Sequence, residues 1–122
     1  MTEYNLIDSS IWIDYLINGN HKELIEKEEK LLLATVSLIE ISKKLSKLKI
    51  PSKEINNKLN YIKKHSIIIN LDEKIAEKAS ELVIEKELPI ADSIVYASAM
   101  INNALLLTLD NDFRGLNNVK IF

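Results

Sequence analysis

The chain has 122 residues, which is enough for one domain with a substantial core but leaves no room for a second. Its composition, 47% hydrophobic and 28% charged, excludes a disordered protein, and a net charge of −2 gives no bulk support for a polyanion partner. The absence of Cys excludes disulfides, thiolate metal sites and cysteine nucleophiles, and fits a reducing compartment such as the cytoplasm. Residues 1–5 show no secretion signal and the apolar runs are too short to span a bilayer, so no membrane association is expected.

The first part of the chain alternates between strand and helix patterns. Residues 4–7 predict a short strand, and the helix that follows at about 10–17 is broken by the Asn-Gly-Asn sequence at 18–20. A charged helix is predicted at 21–30. Residues 31–35 form a nearly continuous apolar run, which is typical of a strand buried on both faces.

The same alternation continues to the end of the chain. Asp72 is placed to cap a long helix that stops near Pro89 and has Ile75, Ala79 and Leu82 on its inner face. The other predicted elements are, in chain order, a helix with an apolar stripe at Leu38, Ile41, Leu45 and Leu48, a helix marked by Ile55, Leu59 and Ile62, a strand at 67–69, a helix at about 91–102, a strand at 105–109 and an edge strand at 119–122. Strands separated by helices in this way predict an α/β domain with a mostly parallel sheet.

Four carboxylates are predicted at the carboxyl edge of that sheet. Asp8 directly follows the first strand, Asp110 follows the strand at 105–109, and Glu40 lies in the opening turns of the helix after the second strand. The helix that contains Asp92 leads into a parallel strand, so its first residues lie near the carboxyl edge. Parallel sheets bind their ligands at this edge.

Each acid also has an ordinary structural explanation, and this alternative stays open at the level of sequence. Asp8 and Asp92 could be helix N-caps, Glu40 suits the positive end of a helix dipole, and Asp110 stands in good turn composition. The apolar residues around these acids favour a site, because a carboxylate among aliphatic side chains is expensive to bury without a cation or a donor.

Four converging carboxylates repel one another unless a cation neutralises them. Ligands that offer only oxygen favour Mg²⁺ or Mn²⁺ over zinc. A divalent cation held in this way can orient and deprotonate water and stabilise charge on a phosphate, so the pattern indicates phosphoryl-transfer chemistry.

Four segments carry a resemblance to a known family: LIDSSIWIDYL around Asp8, TVSLIEI around Glu40, LPIADSIVYASA around Asp92 and LLLTLDNDF around Asp110. In this order, across nearly the whole chain, they resemble the PIN-domain family, and in particular the VapC-type toxins of toxin–antitoxin pairs. The resemblance implies a single three-layer PIN-like nuclease domain over residues 1–122, with a mostly parallel central sheet of four to five strands flanked by helices.

The resemblance also implies an activity, a cofactor and partners. VapC-type toxins are Mg²⁺- or Mn²⁺-dependent endoribonucleases that cleave RNA, are usually homodimeric, and are held inactive by a cognate antitoxin. Ser10 and Thr108 match hydroxyl positions beside the acids, which implies supporting roles. Asp112 is either a fifth, outer carboxylate or the fourth ligand in place of Asp110. The residues that match the family's catalytic and metal-binding quartet are Asp8, Glu40, Asp92 and Asp110.

Two other functions fit the residues less well. A catalytically silent PIN-like scaffold that binds RNA or protein would have no reason to keep the quartet intact. A phosphorylated receiver-like domain would have paired acids after the first strand and a Lys after a late strand, and the chain has neither feature. His21 and His65, in charged helical contexts, are expected to face solvent without a role.

Overall fold

A computed structural model describes residues 4–27 and 29–122. Its strands are β1 (Tyr4–Ile7), β2 (Leu31–Ala34), β3 (Ser66–Ile69), β4 (Ala104–Thr108) and β5 (Val119–Ile121). Its helices are α1 (Ser9–Asn18), α2 (Lys22–Ile25), α3 (Thr35–Lys47), α4 (Ser52–Lys64), α5 (Glu73–Lys86) and α6 (Ile90–Ile101), and a 3₁₀ helix covers Asn111–Phe113. In these ranges of the chain, no helix combines the length and the apolar character needed to cross a membrane.

The strands form one five-stranded sheet in the order β3-β2-β1-β4-β5, and every neighbouring pair is parallel. The predicted α/β fold with four to five mostly parallel strands is therefore confirmed. From β1 the chain moves outward through β2 to β3, and then returns to place β4 on the other side of β1. The boundary between β1 and β4 is thus a topological switch point, where a crevice opens at the carboxyl ends of the strands.

Hydrophobic side chains on the two faces of the sheet form two cores. Successive strand residues point to opposite faces, so Leu6 joins one core and Ile7 the other, and Leu106 and Leu107 divide in the same way. Helices α5 and α6 cover the first face, and α1, α3 and α4 cover the second, which gives the three layers that were predicted. Trp12 is fully buried in the second core.

The charged segment after α1 departs most from the sequence-based expectation. The predicted helix at 21–30 is wrong in extent: α2 ends at Ile25, the one residue of the helix that is buried. His21 precedes it with a left-handed backbone (φ 66°), and its Nε2 lies 2.8 Å from Oδ2 of Asp14. The expectation that His21 faces solvent is therefore also wrong, whereas His65 is exposed as predicted.

Two expectations concern residues outside the described ranges. Glu28 belongs to the segment predicted as a helix at 21–30, and residues 1–3 belong to the N-terminal segment expected to lack a secretion signal.

Candidate metal centre

The predicted acids lie around the crevice at the carboxyl ends of β1 and β4. Asp8 directly follows β1, and Asp110 follows β4. Glu40 lies in the first half of α3 and Asp92 in the first turn of α6. Because α3 and α6 pack on opposite faces of the sheet, the two helices bring their carboxylates to the crevice from opposite sides.

Asp8 is buried, with 4% of its surface exposed, and is held by two hydroxyl groups. Ser10 Oγ and Thr108 Oγ1 each donate a hydrogen bond of 2.8 Å to Asp8 Oδ2. A buried carboxylate needs such donors, because ionising it in an apolar environment without them is costly. The supporting roles expected for Ser10 and Thr108 therefore correspond to direct contacts with Asp8.

The same hydroxyl groups bind the backbone that follows β4. Asp110 N–H donates to Thr108 Oγ1 and Leu109 N–H donates to Ser10 Oγ, both at 3.0 Å. The two hydroxyl groups therefore connect the Asp8 carboxylate to the segment that carries Asp110, although the two acids are far apart in sequence.

Asp92, Asp110 and Asp112 form the tightest acidic group in the described part of the chain. Each offers one carboxylate oxygen, and these oxygens all lie within 4.8 Å of one another. Oxygens around an octahedral Mg²⁺ are about 3 Å apart when adjacent and about 4.2 Å apart when opposite, so the three carboxylates would have to draw together to coordinate one such ion. Asp110 and Asp112 take part together, which favours neither of them as the exclusive fourth ligand.

Glu40, like Asp8, lies outside this group of three but is close enough to interact with it electrostatically, and it has a contact that the sequence did not suggest. Ser9 Oγ donates to Glu40 Oε1 at 3.3 Å, and Ser9 is itself buried. Burial and the neighbouring carboxylates of Asp8 and Asp110 raise the pKa of Glu40, against the effect of the Ser9 hydrogen bond. The only sequence signal for Ser9 is its place between Asp8 and Ser10, which does not indicate its partner.

Asp92 is the acid with the largest resolved pKa shift in the described part of the chain. Burial, which is the largest cause, and the negative charges of Asp110, Asp8, Asp112 and Glu40 together raise the pKa of Asp92 to about 7. All five carboxylates are therefore close enough to interact electrostatically. Such a cluster is costly in its ionised form without a cation, and hard oxygen ligands of this kind suit Mg²⁺ or Mn²⁺.

A family model described as PIN domain matches residues 6–118. The chain belongs to the PIN domain family. Its fold is shared by a toxin–antitoxin complex from Klebsiella pneumoniae, at 24% identity and a TM-score of 0.78 over 95% of each chain. It is also shared by VapBC2 from Rickettsia felis bound to a DNA fragment from its promoter, at 22% identity and a TM-score of 0.73 over 98% of this chain and 97% of that chain.

A third structure with the same fold is VapC20 from Mycobacterium tuberculosis, described as a sarcin–ricin-loop-cleaving toxin. It is 12% identical, with a TM-score of 0.75 over 96% of this PIN domain and 98% of the other chain. At these identities the likeness shows the fold. No curated protein sequence matches this PIN domain significantly.

Helix capping, the ordinary structural explanation for several of these acids, applies to only one of Asp8, Asp92 and Asp110. Asp8 holds the N-cap position of α1, but its side chain makes no capping hydrogen bond. Asp92 is not an N-cap, because Pro89 holds that position in α6. Asp110 does cap the 3₁₀ helix by accepting from Asp112 N–H at 2.9 Å, and this turn sets Asp112 beside it. Capping thus accounts for Asp110 and leaves the positions of Asp8 and Asp92 unexplained.

Proposed function

We propose that this PIN domain is a Mg²⁺- or Mn²⁺-dependent endoribonuclease, a hydrolase of RNA phosphodiester bonds that acts as the toxin of a toxin–antitoxin pair. The observation that carries the proposal is the carboxylate cluster at the switch point, where oxygens of Asp92, Asp110 and Asp112 lie within 4.8 Å of one another. PIN domains are nucleases, and the family match supports this class of enzyme.

The acids have different roles in binding the cation. In the proposal, Asp8, Glu40, Asp92 and Asp110 are the ligands and catalytic residues, and Asp112 adds charge close to them. A Mg²⁺ or Mn²⁺ ion held by these residues would supply an activated water and would neutralise charge that develops on the phosphate and the leaving oxygen. Carboxylates that repel one another in its absence become its natural ligands.

Ser10 and Thr108 fix the orientation of Asp8. Both hydroxyl groups donate to Oδ2, and Oδ1 accepts no hydrogen bond from the described residues. The free oxygen is thereby left for a cation or its water. Ser9 does the same for Glu40, by donating to Oε1. Contacts of this kind hold ligand side chains at a fixed angle and tune the affinity for metal.

Removing one carboxylate charge tests the proposal directly. Asp8→Asn and Asp92→Asn should each lower kcat for cleavage of a short single-stranded RNA in Mn²⁺ by at least about 100-fold, because the charge that holds the cation is lost. EDTA should abolish cleavage by the parent. Gel-resolved cleavage time courses and Mn²⁺ titration calorimetry measure these effects, and far-UV circular dichroism verifies the fold.

Asp72→Asn is the matched control. Asp72 also follows a strand and caps a helix, with Ile75 N–H donating to it at 2.9 Å, but it is exposed and outside the acidic cluster. Asn caps as well as Asp, so this variant should cleave like the parent. A cleavage rate that is the same in Asp8→Asn and the parent would indicate a contaminating nuclease. A parent that neither binds Mn²⁺ nor cleaves would be a silent scaffold.

We further propose that residues 1–122 form a single cytoplasmic nuclease domain that is homodimeric and inhibited by a cognate antitoxin. The neighbouring structures from Klebsiella pneumoniae and Rickettsia felis are toxin–antitoxin assemblies, which supports this partner. The small protein encoded beside the gene should inhibit RNA cleavage at a stoichiometric ratio. Light scattering should give twice the 13.9 kDa of one chain. Unchanged cleavage in an excess of that protein would contradict inhibition by an antitoxin. A mass of one chain in light scattering would contradict the homodimer.

A further inference from the structure

A groove of about 410 Å³ adjoins the acidic cluster, and Asn111, Arg114 and Phe122 are among its lining residues. The groove and the cluster share the 3₁₀ helix Asn111–Phe113. Asp110 caps this helix and Asp112 lies within it. The volume of the groove is in the range of about 300–1,000 Å³ that is typical of small-ligand pockets. The groove therefore lies on the same short helix as part of the acidic cluster and has room for a bound group.

Arg114 presents a positioned cation in this groove. It is the only arginine of the chain. Its Nη2 donates to Asn111 Oδ1 at 2.9 Å, and across residues 4–27 and 29–122 its guanidinium forms no ion pair with a carboxylate. The planar fork of an arginine matches the two free oxygens of a phosphodiester. The guanidinium is thus available to an anion directly beside a site that repels anions.

Phe122 is an aromatic residue that also lines this groove. The residue is 44% exposed, and its backbone N–H donates at 2.9 Å to the carbonyl of Thr108, whose side chain contacts Asp8. Lys120 Nζ lies 4.9 Å from the ring centroid, and the His21 ring packs on it edge-on with centroids 5.8 Å apart. An exposed aromatic residue beside a lysine is typical of surfaces that bind single-stranded nucleic acid.

Resting on the proposed nuclease function, we propose that this groove binds the nucleotide of single-stranded RNA next to the scissile phosphate. Arg114 binds the backbone phosphate and Phe122 packs against the base. A substrate of repeated negative charge needs a cationic anchor outside the acidic cluster, because the net charge of −2 supplies no general attraction. An unstacked base provides a flat apolar surface that can cover the exposed part of Phe122.

The kinetics of RNA cleavage in Mn²⁺ test the groove with charge and ring variants. Arg114→Gln should raise KM about 10-fold, leave kcat within about twofold, and reduce the slope of log KM against log salt concentration by about one. Arg114→Lys should fall between Arg114→Gln and the parent. Phe122→Leu, which keeps an apolar side chain, should raise KM at least about fivefold, and Phe122→Tyr should match the parent.

Lys64→Gln is the matched charge control. Lys64 is exposed at the end of α4, just before β3 begins, and so lies at the opposite edge of the sheet from the groove. Its KM and salt dependence should match those of the parent.

The outcomes separate this inference from the proposed function. If the parent does not cleave RNA, the nuclease proposal fails and the groove proposal fails with it. If the parent cleaves, and Arg114→Gln keeps both the KM and the salt slope of the parent, only the groove proposal is overturned. It is likewise overturned if Arg114→Gln cleaves normally but escapes inhibition by the partner protein, because the groove then binds that protein.

Discussion

Thr108 and Ser10 serve two functions through the same hydroxyl groups. Each hydroxyl donates a hydrogen bond of 2.8 Å to Asp8 Oδ2. Each also accepts a hydrogen bond of 3.0 Å from a backbone N–H of the segment after β4. The hydrogen of each hydroxyl is committed to the carboxylate, so its lone pairs are left for the backbone. The position of Asp8 relative to Asp110 therefore depends on two small side chains that bear no charge.

Replacing Thr108 by Val should disturb both the fold and the proposed site. The variant leaves buried Asp8 with one donor fewer and Asp110 N–H without its acceptor, which should lower the free energy of unfolding by about 1–3 kcal/mol. Affinity for Mn²⁺ should fall about 10- to 100-fold, as expected for a contact that orients a ligand. Urea unfolding and Mn²⁺ titration calorimetry measure the two effects.

Thr108→Ser, which keeps the hydroxyl, is the control and should recover most of the Mn²⁺ affinity. If Thr108→Val has the same Mn²⁺ affinity and the same free energy of unfolding as the parent, the proposed orienting role of the hydroxyl is contradicted. Loss of stability with unchanged Mn²⁺ affinity would restrict Thr108 to a structural role.

At the scale of elements, the sequence predicts best where burial follows a simple period. The four residues of β2 are all buried, as their continuous apolar run indicates, and Ile75, Ala79 and Leu82 face inward from α5 behind the predicted Asp72 cap. Such segments depend on which face meets the core, and the spacing of apolar residues carries that information.

The sequence predicts poorly where a distant contact decides the local structure. The 21–30 segment has many good helix formers, but α2 is only one short turn. Helix propensity alone does not hold a helix together, and Ile25 is the one residue of α2 that packs into the core. His21 adopts its left-handed backbone beside Asp14 and packs against Phe122. His21 and Phe122 are about 100 positions apart in sequence, so the periodicity of the 21–30 segment cannot predict their contact.

At the scale of the whole molecule, the candidate site results from strand order. The sequence predicts that acids after parallel strands share one edge, but it does not predict that β4 pairs with β1 rather than with β3. That pairing joins Thr108 to Asp8, which are 100 positions apart in sequence. The same order gives each face of the sheet one helix that brings an acid to the crevice, Glu40 from α3 and Asp92 from α6.

Crowding of the acids makes the stability of the metal-free protein depend on pH. The pKa of Asp92 is raised from 3.8 to about 7 in the folded protein. Between these values the folded protein therefore binds a proton more tightly than the unfolded chain does. The contribution of Asp92 to stability is complete below about pH 4 and is lost as the pH rises through about 7. The raised pKa of Glu40 acts in the same direction.

A divalent cation should reverse this trend, because it binds the ionised carboxylates and competes with the proton. In EDTA the Tm should fall as the pH rises from 5 to 8, and the gain in Tm on adding Mg²⁺ should be larger at pH 8 than at pH 5. Differential scanning calorimetry measures both effects. Asp92→Asn keeps His21 and His65 but lacks the carboxyl group, so its Tm in EDTA should vary less with pH. A metal-free parent whose Tm rises over this pH range would contradict the raised pKa values of Asp92 and Glu40, and a gain from Mg²⁺ that is independent of pH would contradict binding of the cation by ionised carboxylates.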